Sequence, residues 1–166
     1  TPSQSSAASD VYKRQFLCRV NSIKQTTSTV FAQVDSGFNH LIRPMMYGAN
    51  HSIENISNQK DIERYYSVVG YICETDTFAT NIKLKNVSTD DILCFKNAGA
   101  YCFSMSSNYN SRYKPAEVML INNTYKLIRE RERFENLLIN QIDIFNWSHL
   151  KPKVRHLYTQ QQIDHL

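Results

Sequence analysis

No run of apolar residues in this chain approaches the roughly 18 needed to cross a membrane as a helix. Residues 1–15 also lack the apolar core of a secretory signal. Paired cysteines are missing as well. Cys18, Cys73, Cys94 and Cys102 form no C-x-x-C motif, and the five histidines show no metal-ligand spacing. Four unpaired thiols fit a reduced, cytoplasmic protein, although spacing does not say which thiol has chemistry. A basic stripe is the third absence. The net charge is +4, but residues 16–143 hold 14 basic and 13 acidic side chains, so the excess sits at the ends. That distribution argues against nucleic acid as a partner. What remains is a chain of 166 residues with 42% hydrophobic and 20% charged residues, enough for one packed domain without disulfides.

Both ends read differently from the body. Thr1–Gln15 is rich in Ser, Ala and Gln and has no hydrophobic period. Its last six residues, Asp10–Gln15, resemble the translation of a sequencing-library adapter. Residues 1–15 are therefore set aside as an assembly scar or a linker, and as a scar they imply a longer protein upstream. Residues 144–166 contain Pro152, a Gln160-Gln161-Gln162 run and three of the five histidines, and read as an irregular tail without assigned function. The body is 16–143.

Phe16–Gln25 and Ser28–Val34 are β-rich runs around Thr26-Thr27, which predicts a hairpin or two adjacent strands. Gly37 ends the second. Leu41–Tyr47 contains Pro44, so at most one helical turn is expected. Glu54–Glu63 reads as a loop, Tyr66–Cys73 as a buried strand and Asp91–Asn97 as another. Glu117–Ile121 and Thr124–Ile128 flank Asn122-Asn123, a two-residue hairpin signal because Asn tolerates positive φ. Glu130–Ile142 carries Phe134, Leu137, Leu138, Gln141 and Ile142 at helical spacing and predicts one helix, with Arg131 and Glu135 as surface partners. Short strands and one late helix imply a mainly β protein: an antiparallel barrel or sandwich with one C-terminal α-helix.

Three loops carry candidate chemistry. In Asp35–Tyr47, Arg43 and Tyr47 lie four apart, so one helical turn puts a guanidinium fork and a phenol on the same side, suited to a carboxylate. An Arg paired with a structural acid would read the same way. In Val69–Asp76, Cys73 is followed by Glu74 at a strand end, a thiol acid beside a recognition carboxylate; most lone cysteines, however, are simply buried. In Asn97–Arg112, small residues around Gly99 precede Tyr101, Tyr109 and Asn110. The last two read as loop-packing groups.

The phrases VDSGFNHLIRPMMYGANHSI (34–53), VVGYICETDTF (68–78) and NAGAYCFSMSSNYNSRYKPAEV (97–118) occur in the order and approximate spacing found in the C-terminal domain of diaminopimelate decarboxylases. The chain resembles that family over about 16–142. The resemblance implies a C-terminal β-domain whose parent enzyme carries an N-terminal (β/α)8 barrel, missing here along with its Schiff-base lysine, its cofactor-stacking histidine and its phosphate loop. It implies the cofactor pyridoxal 5′-phosphate, an amino-acid substrate and a homodimer with shared active sites. It implies that Arg43 and Tyr47 bind substrate, that Cys73 donates a proton, that Glu74 recognises the distal end of the substrate, and that Tyr101 lies against cofactor and substrate. Ser36 stands where Ala is usual, Thr75 where Ser is usual, and Tyr113-Lys114 where Pro-Arg is usual; none of these removes an implied functional group. The expected reaction converts meso-2,6-diaminopimelate to L-lysine and carbon dioxide. The alternatives are a decarboxylase of ornithine, arginine or a carboxylated polyamine, and a non-catalytic regulatory homologue.

Overall fold

The computed structural model describes residues 14–58 and 62–142. The scar or linker reading of the N-terminus, up to residue 13, and the tail reading of 144–166 lie outside the described residues. The chain divides into two compact units, Thr1–Arg112 and Tyr113–Leu166.

The first unit holds β1 (Phe16–Gln25), β2 (Val30–Val34), α1 (Arg43–Tyr47), β3 (Ile53–Asn55), β4 (Glu63–Val69), β5 (Thr77–Lys85), β6 (Ile92–Phe95), α2 (Gly99–Ser104) and a 3-10 turn, Tyr109–Ser111. The strands run in the order β3-β6-β1-β2-β4-β5. β1 changes partner along its length. Phe16–Arg19 pair with β6, while Val20–Gln25 pair with β2 across an irregularity between Val20 and Ser22. A strand that passes from one sheet to another through a bulge makes a corner. The two ends of the sheet then approach each other. Asn55, on β3, and Asn58 both donate from Nδ2 to the Asn86 carbonyl just beyond β5, at 3.1 and 2.8 Å. The result is a nearly closed barrel, as the mainly β reading expected.

The alternation in β1 explains why it is a strand. Phe16, Cys18 and Val20 point inward, and Leu17 and Arg19 point out. With Ala32, Val34, Leu41, Val68, Leu93 and Phe95 they form the core, and most of these side chains are fully enclosed. Each of the Val, Leu and Phe side chains among them contributes about 1.5–3 kcal/mol on burial. Phe95 is central, with ring centroids 5.0 Å from Phe78 and 5.9 Å from Phe16. Tyr66 is buried because its hydroxyl is satisfied, accepting from Val87 N at 3.0 Å and donating to Asn86 Oδ1 at 3.2 Å. Such partners are what a buried phenol requires.

Several expectations are corrected. The sheet is mixed, because β2 and β4 pair in parallel through Phe31–Ser67 and Gln33–Val69. The strand expected over Tyr66–Cys73 ends at Val69, and Cys73 lies in the following loop. Glu54–Glu63, expected as a loop, opens inside the short strand β3. Strand β5 received no assignment from sequence. Its apolar positions Phe78, Ile82 and Leu84 are separated by Thr, Asn and Lys, and Asn81 adopts φ 53°.

The second unit contains the hairpin β7 (Glu117–Ile121) and β8 (Thr124–Arg129) and the helix α3 (Phe134–Leu138). Asn122 and Asn123 take φ 48° and 59°, the two positive values a type I′ turn demands. The helix expected over Glu130–Ile142 is a single turn. Glu132 is held in extended chain by Lys114: Glu132 N donates to the Lys114 carbonyl at 3.1 Å and Lys114 N to Glu132 Oε2 at 2.8 Å. Arg131 therefore precedes the helix, and its i,i+4 relation to Glu135 is lost. Asn136 Oδ1 caps the turn by accepting from Arg133 N at 2.7 Å.

Candidate active site

The parallel pairing of β2 with β4 decides where the candidate loops lie. Parallel neighbours end on the same side of a sheet. The segment after β2, 35–42, therefore meets the segment after β4, 70–76. Tyr71 N donates to the Ser36 carbonyl at 3.1 Å. Buried Asp76 latches both: its Oδ1 accepts from Phe38 N at 2.6 Å and its Oδ2 from Ile72 N at 2.8 Å. Burial pushes the Asp76 carboxyl above its ordinary value of 3.8, and these two N–H donors only partly oppose it. Gly70 makes the latch possible, since a Cβ there would lie 2.1 Å from Asp76 Oδ2.

Arg43 and Tyr47 occupy the first and last positions of α1, as the spacing predicted. Gly48 closes the turn at φ 61°, with Gly48 N donating to the Pro44 carbonyl at 3.1 Å and Ala49 N to the Arg43 carbonyl at 3.3 Å. Tyr47 is exposed. The Arg43 guanidinium lies 5.3 Å from the centroid of the Tyr101 ring, a cation–π contact. Tyr101 stands on α2, which is tied to the first loop by Cys102 Sγ donating to the His40 carbonyl at 3.2 Å and by Ser107 N donating to the Asn39 carbonyl at 2.8 Å. Tyr101 is exposed, and among the described residues its hydroxyl has no hydrogen-bond partner. The exposed Tyr101 ring offers an aromatic surface of the kind on which the planar ring of pyridoxal phosphate stacks.

Cys73 and Glu74 stand exposed in the Asp76-anchored loop. Spacing does not rank the four thiols; burial separates them. Cys18 and Cys94 are buried, Cys102 is half-buried, and Cys73 alone of the four is exposed. Burial raises the Cys18 thiol well above its usual range and raises Cys94 as well. Glu74 Oε1 accepts from the Tyr109 hydroxyl at 2.6 Å. The Tyr109 ring packs on Phe38 at 5.1 Å between centroids, as its loop-packing reading held, but the hydroxyl contact to Glu74 goes beyond that reading. No spacing rule could have found it, because the two residues are 35 apart in sequence. Asp76, the anchor, was likewise not singled out from sequence.

The five sequence-derived residues thus fall into two groups. Arg43 and Tyr101 are in contact with each other, with Tyr47 on the same turn as Arg43. Cys73 and Glu74 form the other, joined by Tyr109. Among the described residues no hydrogen bond, ion pair or ring contact links the two groups.

Comparison with known proteins gives a consistent result. The family described as pyridoxal-dependent decarboxylase, C-terminal sheet domain, matches residues 15–99. A protein named diaminopimelate decarboxylase from Methanothermobacter thermautotrophicus is 46% identical over 127 residues, covering 75% of this chain and 29% of the relative. One of the same name from Campylobacter jejuni is 46% identical over 123 residues, covering 74% of this chain and 30% of the relative. The crystal structure of diaminopimelate decarboxylase from M. jannaschii in co-complex with L-lysine superposes with a TM-score of 0.75 at 36% identity, over 82% of this chain and 31% of that one. The chain therefore spans about 30% of the length of the relatives it matches. With its mixed, nearly closed sheet and the matched segment from Gln15 to Gly99, this chain belongs to the pyridoxal-dependent decarboxylase family, as its C-terminal sheet domain.

Proposed function

We propose that the chain is the C-terminal part of a diaminopimelate decarboxylase, which removes carbon dioxide from meso-2,6-diaminopimelate to give L-lysine. The observation that carries the reading is the exposed Cys73-Glu74 pair on a loop fixed by Asp76, in a chain 46% identical to proteins of that name. When bound, pyridoxal 5′-phosphate supplies the electron sink that α-decarboxylation of an amino acid needs. The bond from the α-carbon to its carboxylate breaks, carbon dioxide leaves, and the electron pair stays with carbon. Cys73 holds at Sγ the proton that replaces it, and water entering on product release reprotonates the thiolate. Glu74 offers its carboxylate to the distal ammonium. The Arg43 fork and the Tyr47 hydroxyl bind the distal carboxylate. Tyr101 lies against cofactor and substrate. Such a site rejects ornithine, arginine and carboxylated polyamines, because each leaves one of its own polar groups unpaired.

The full-length protein is a homodimer in which the Cys73-Glu74 loop completes the partner's site. The exposure of the Cys73-Glu74 loop on its own domain supports this. A two-fold interface then supplies two equivalent crevices. The test mixes two full-length variants, one lacking the cofactor lysine and one carrying Cys73→Ala. Random reassortment makes half the dimers mixed, and each mixed dimer holds one intact site, so activity returns to roughly a quarter of wild type. No recovery with heterodimers demonstrated overturns the shared site. Substantial activity of Cys73→Ala alone removes the thiol as proton donor. Turnover of ornithine, arginine or a carboxylated polyamine in preference to diaminopimelate replaces the substrate assignment, and no turnover of any of them leaves a non-catalytic homologue.

A further inference from the structure

A glutamate on an exposed loop has three rotatable side-chain bonds. Unless something fixes them beforehand, their entropy is lost when a ligand binds and weakens the complex. Glu74 is such a residue, and the fold supplies the fixing group. The Tyr109 hydroxyl donates to Glu74 Oε1 at 2.6 Å, the short distance of a charge-assisted bond. The phenol stays protonated and able to donate, since the bond to Glu74 raises its pKa above 10.0.

Tyr109 is itself held at both ring and backbone. Its ring meets Phe38 with centroids 5.1 Å apart and planes inclined by 45°. Phe38 N is bound in turn to Asp76 Oδ1 at 2.6 Å, and Asp76 lies two residues beyond Glu74. The contacts close a circuit running from Glu74 to Tyr109, to Phe38, to Asp76, and back along the chain to Glu74. The backbone at Tyr109 is pinned by Asn110 and Ser111 at φ 54° and 55°. Tyr109's carbonyl accepts from Arg112 N at 3.2 Å, and Ser107, just before it, donates from N to the Asn39 carbonyl at 2.8 Å. Glu74 Oε1 is thus committed to the phenol, and Oε2 is the oxygen presented to a ligand.

We propose that Tyr109 is the positioning residue that presets Glu74 and thereby sets the preference for substrates with a distal ammonium group. The proposal rests on the reading of Glu74 as the group that recognises that ammonium. Tyr109 touches no reacting atom and acts through Glu74 alone, so its loss weakens binding and spares the chemical step.

The experiment uses the full-length holoenzyme as wild type, Tyr109→Phe, Glu74→Gln and the double variant, assayed on meso-diaminopimelate. 2-Aminopimelate, which lacks the distal ammonium, serves as a competitive inhibitor. Tyr109→Phe keeps the ring on Phe38 and removes only the donor. It raises KM about tenfold, the effect of losing one hydrogen bond to a charged group, and leaves kcat within about threefold. It does not change the inhibition constant of 2-aminopimelate, and in the Glu74→Gln background it adds no further loss. An unchanged KM overturns the proposal, and so does a full additional loss in the double variant, which is also how a general folding defect would show itself. A wild-type enzyme inactive on diaminopimelate removes the functional reading and this inference together. An active enzyme with an additive cycle removes the inference alone.

Discussion

Gly70→Ala is the sharpest test of the latch beneath the candidate site. A Cβ at this position would lie 2.1 Å from Asp76 Oδ2, 2.5 Å from Asp76 Cγ and 2.5 Å from the Ser36 carbonyl oxygen. Ordinary contacts begin near 3.4 Å, so relief requires a shift of about 1 Å. The carboxylate cannot retreat that far and keep both bonds, to Ile72 N at 2.8 Å and Phe38 N at 2.6 Å. Losing one hydrogen bond to a charged acceptor costs about 1.5–3 kcal/mol. Overpacking against backbone adds about 1–3 kcal/mol. The expected destabilisation is about 3–5 kcal/mol, or roughly 10 °C in the melting transition of a domain this size. Gly37→Ala is the internal control. Its Cβ would meet Ile72 Cγ1 at 2.6 Å, Asp76 Oδ2 at 2.7 Å and Asn39 Oδ1 at 3.1 Å, a lesser overlap than at Gly70 and with no backbone atom among the three. It should cost about half as much. Scanning calorimetry of the full-length variants, read at the transition in which this domain unfolds, measures both. A Gly70→Ala transition within about 2 °C of wild type, or a larger loss at Gly37, refutes the latch.

Brief exposure of the native protein to iodoacetamide, followed by peptide mapping, should modify Cys73 before Cys18, Cys94 and Cys102, because Cys73 alone of the four is not packed within its own domain and lines a site that small molecules enter; first modification at any other of these positions would contradict the burial pattern. Asp76 also gives the domain a pH signature. Its folded pKa is raised above 3.8, chiefly by burial, so its titration contributes stability that is fully present below that value and is lost as pH rises through the folded pKa. The melting temperature of wild type minus that of Asp76→Asn should therefore be larger at pH 4 than at pH 7, and a constant difference would show that Asp76 does not titrate abnormally.

Local chemistry was legible in the sequence, and non-local pairing was not. The Asn122-Asn123 turn was legible because φ of 48° and 59° is a property of the residues themselves. The Arg43–Tyr47 turn was legible from a spacing of four and one proline. The parallel pairing of β2 with β4 left no trace, because it depends on Phe31 meeting Ser67 across the whole intervening chain. The apolar stripe overstates the final helix for a related reason: it continues through Ile142, but Glu132 is committed to Lys114. At the candidate site, Arg43, Tyr47, Cys73, Glu74 and Tyr101 are named by their resemblance to a family and not by periodicity. Tyr109 and Asp76 act through contacts to residues in other loops or through backbone N–H groups, which periodicity does not encode.

The corner in β1 sets where this domain tolerates changes in length. Val20 pairs with Val34 and Ser22 with Gln33, while Phe16–Arg19 pair with β6. One residue more or fewer between Arg19 and Ser22 would slide one half of the barrel against the other and turn inward-facing side chains outward. The site would go with them, because its loops hang from β2 and β4 on one side of that corner and from β6 on the other. The turn Thr26–Thr29, closed by Thr26 N donating to the Thr29 carbonyl at 2.8 Å, lies at the far end of β2 and carries no such constraint. Insertions and deletions that survive selection in this domain should therefore accumulate at that turn and be purged at Asn21, so that a short stretch with no chemistry of its own drifts as little in length as the loops of the candidate site.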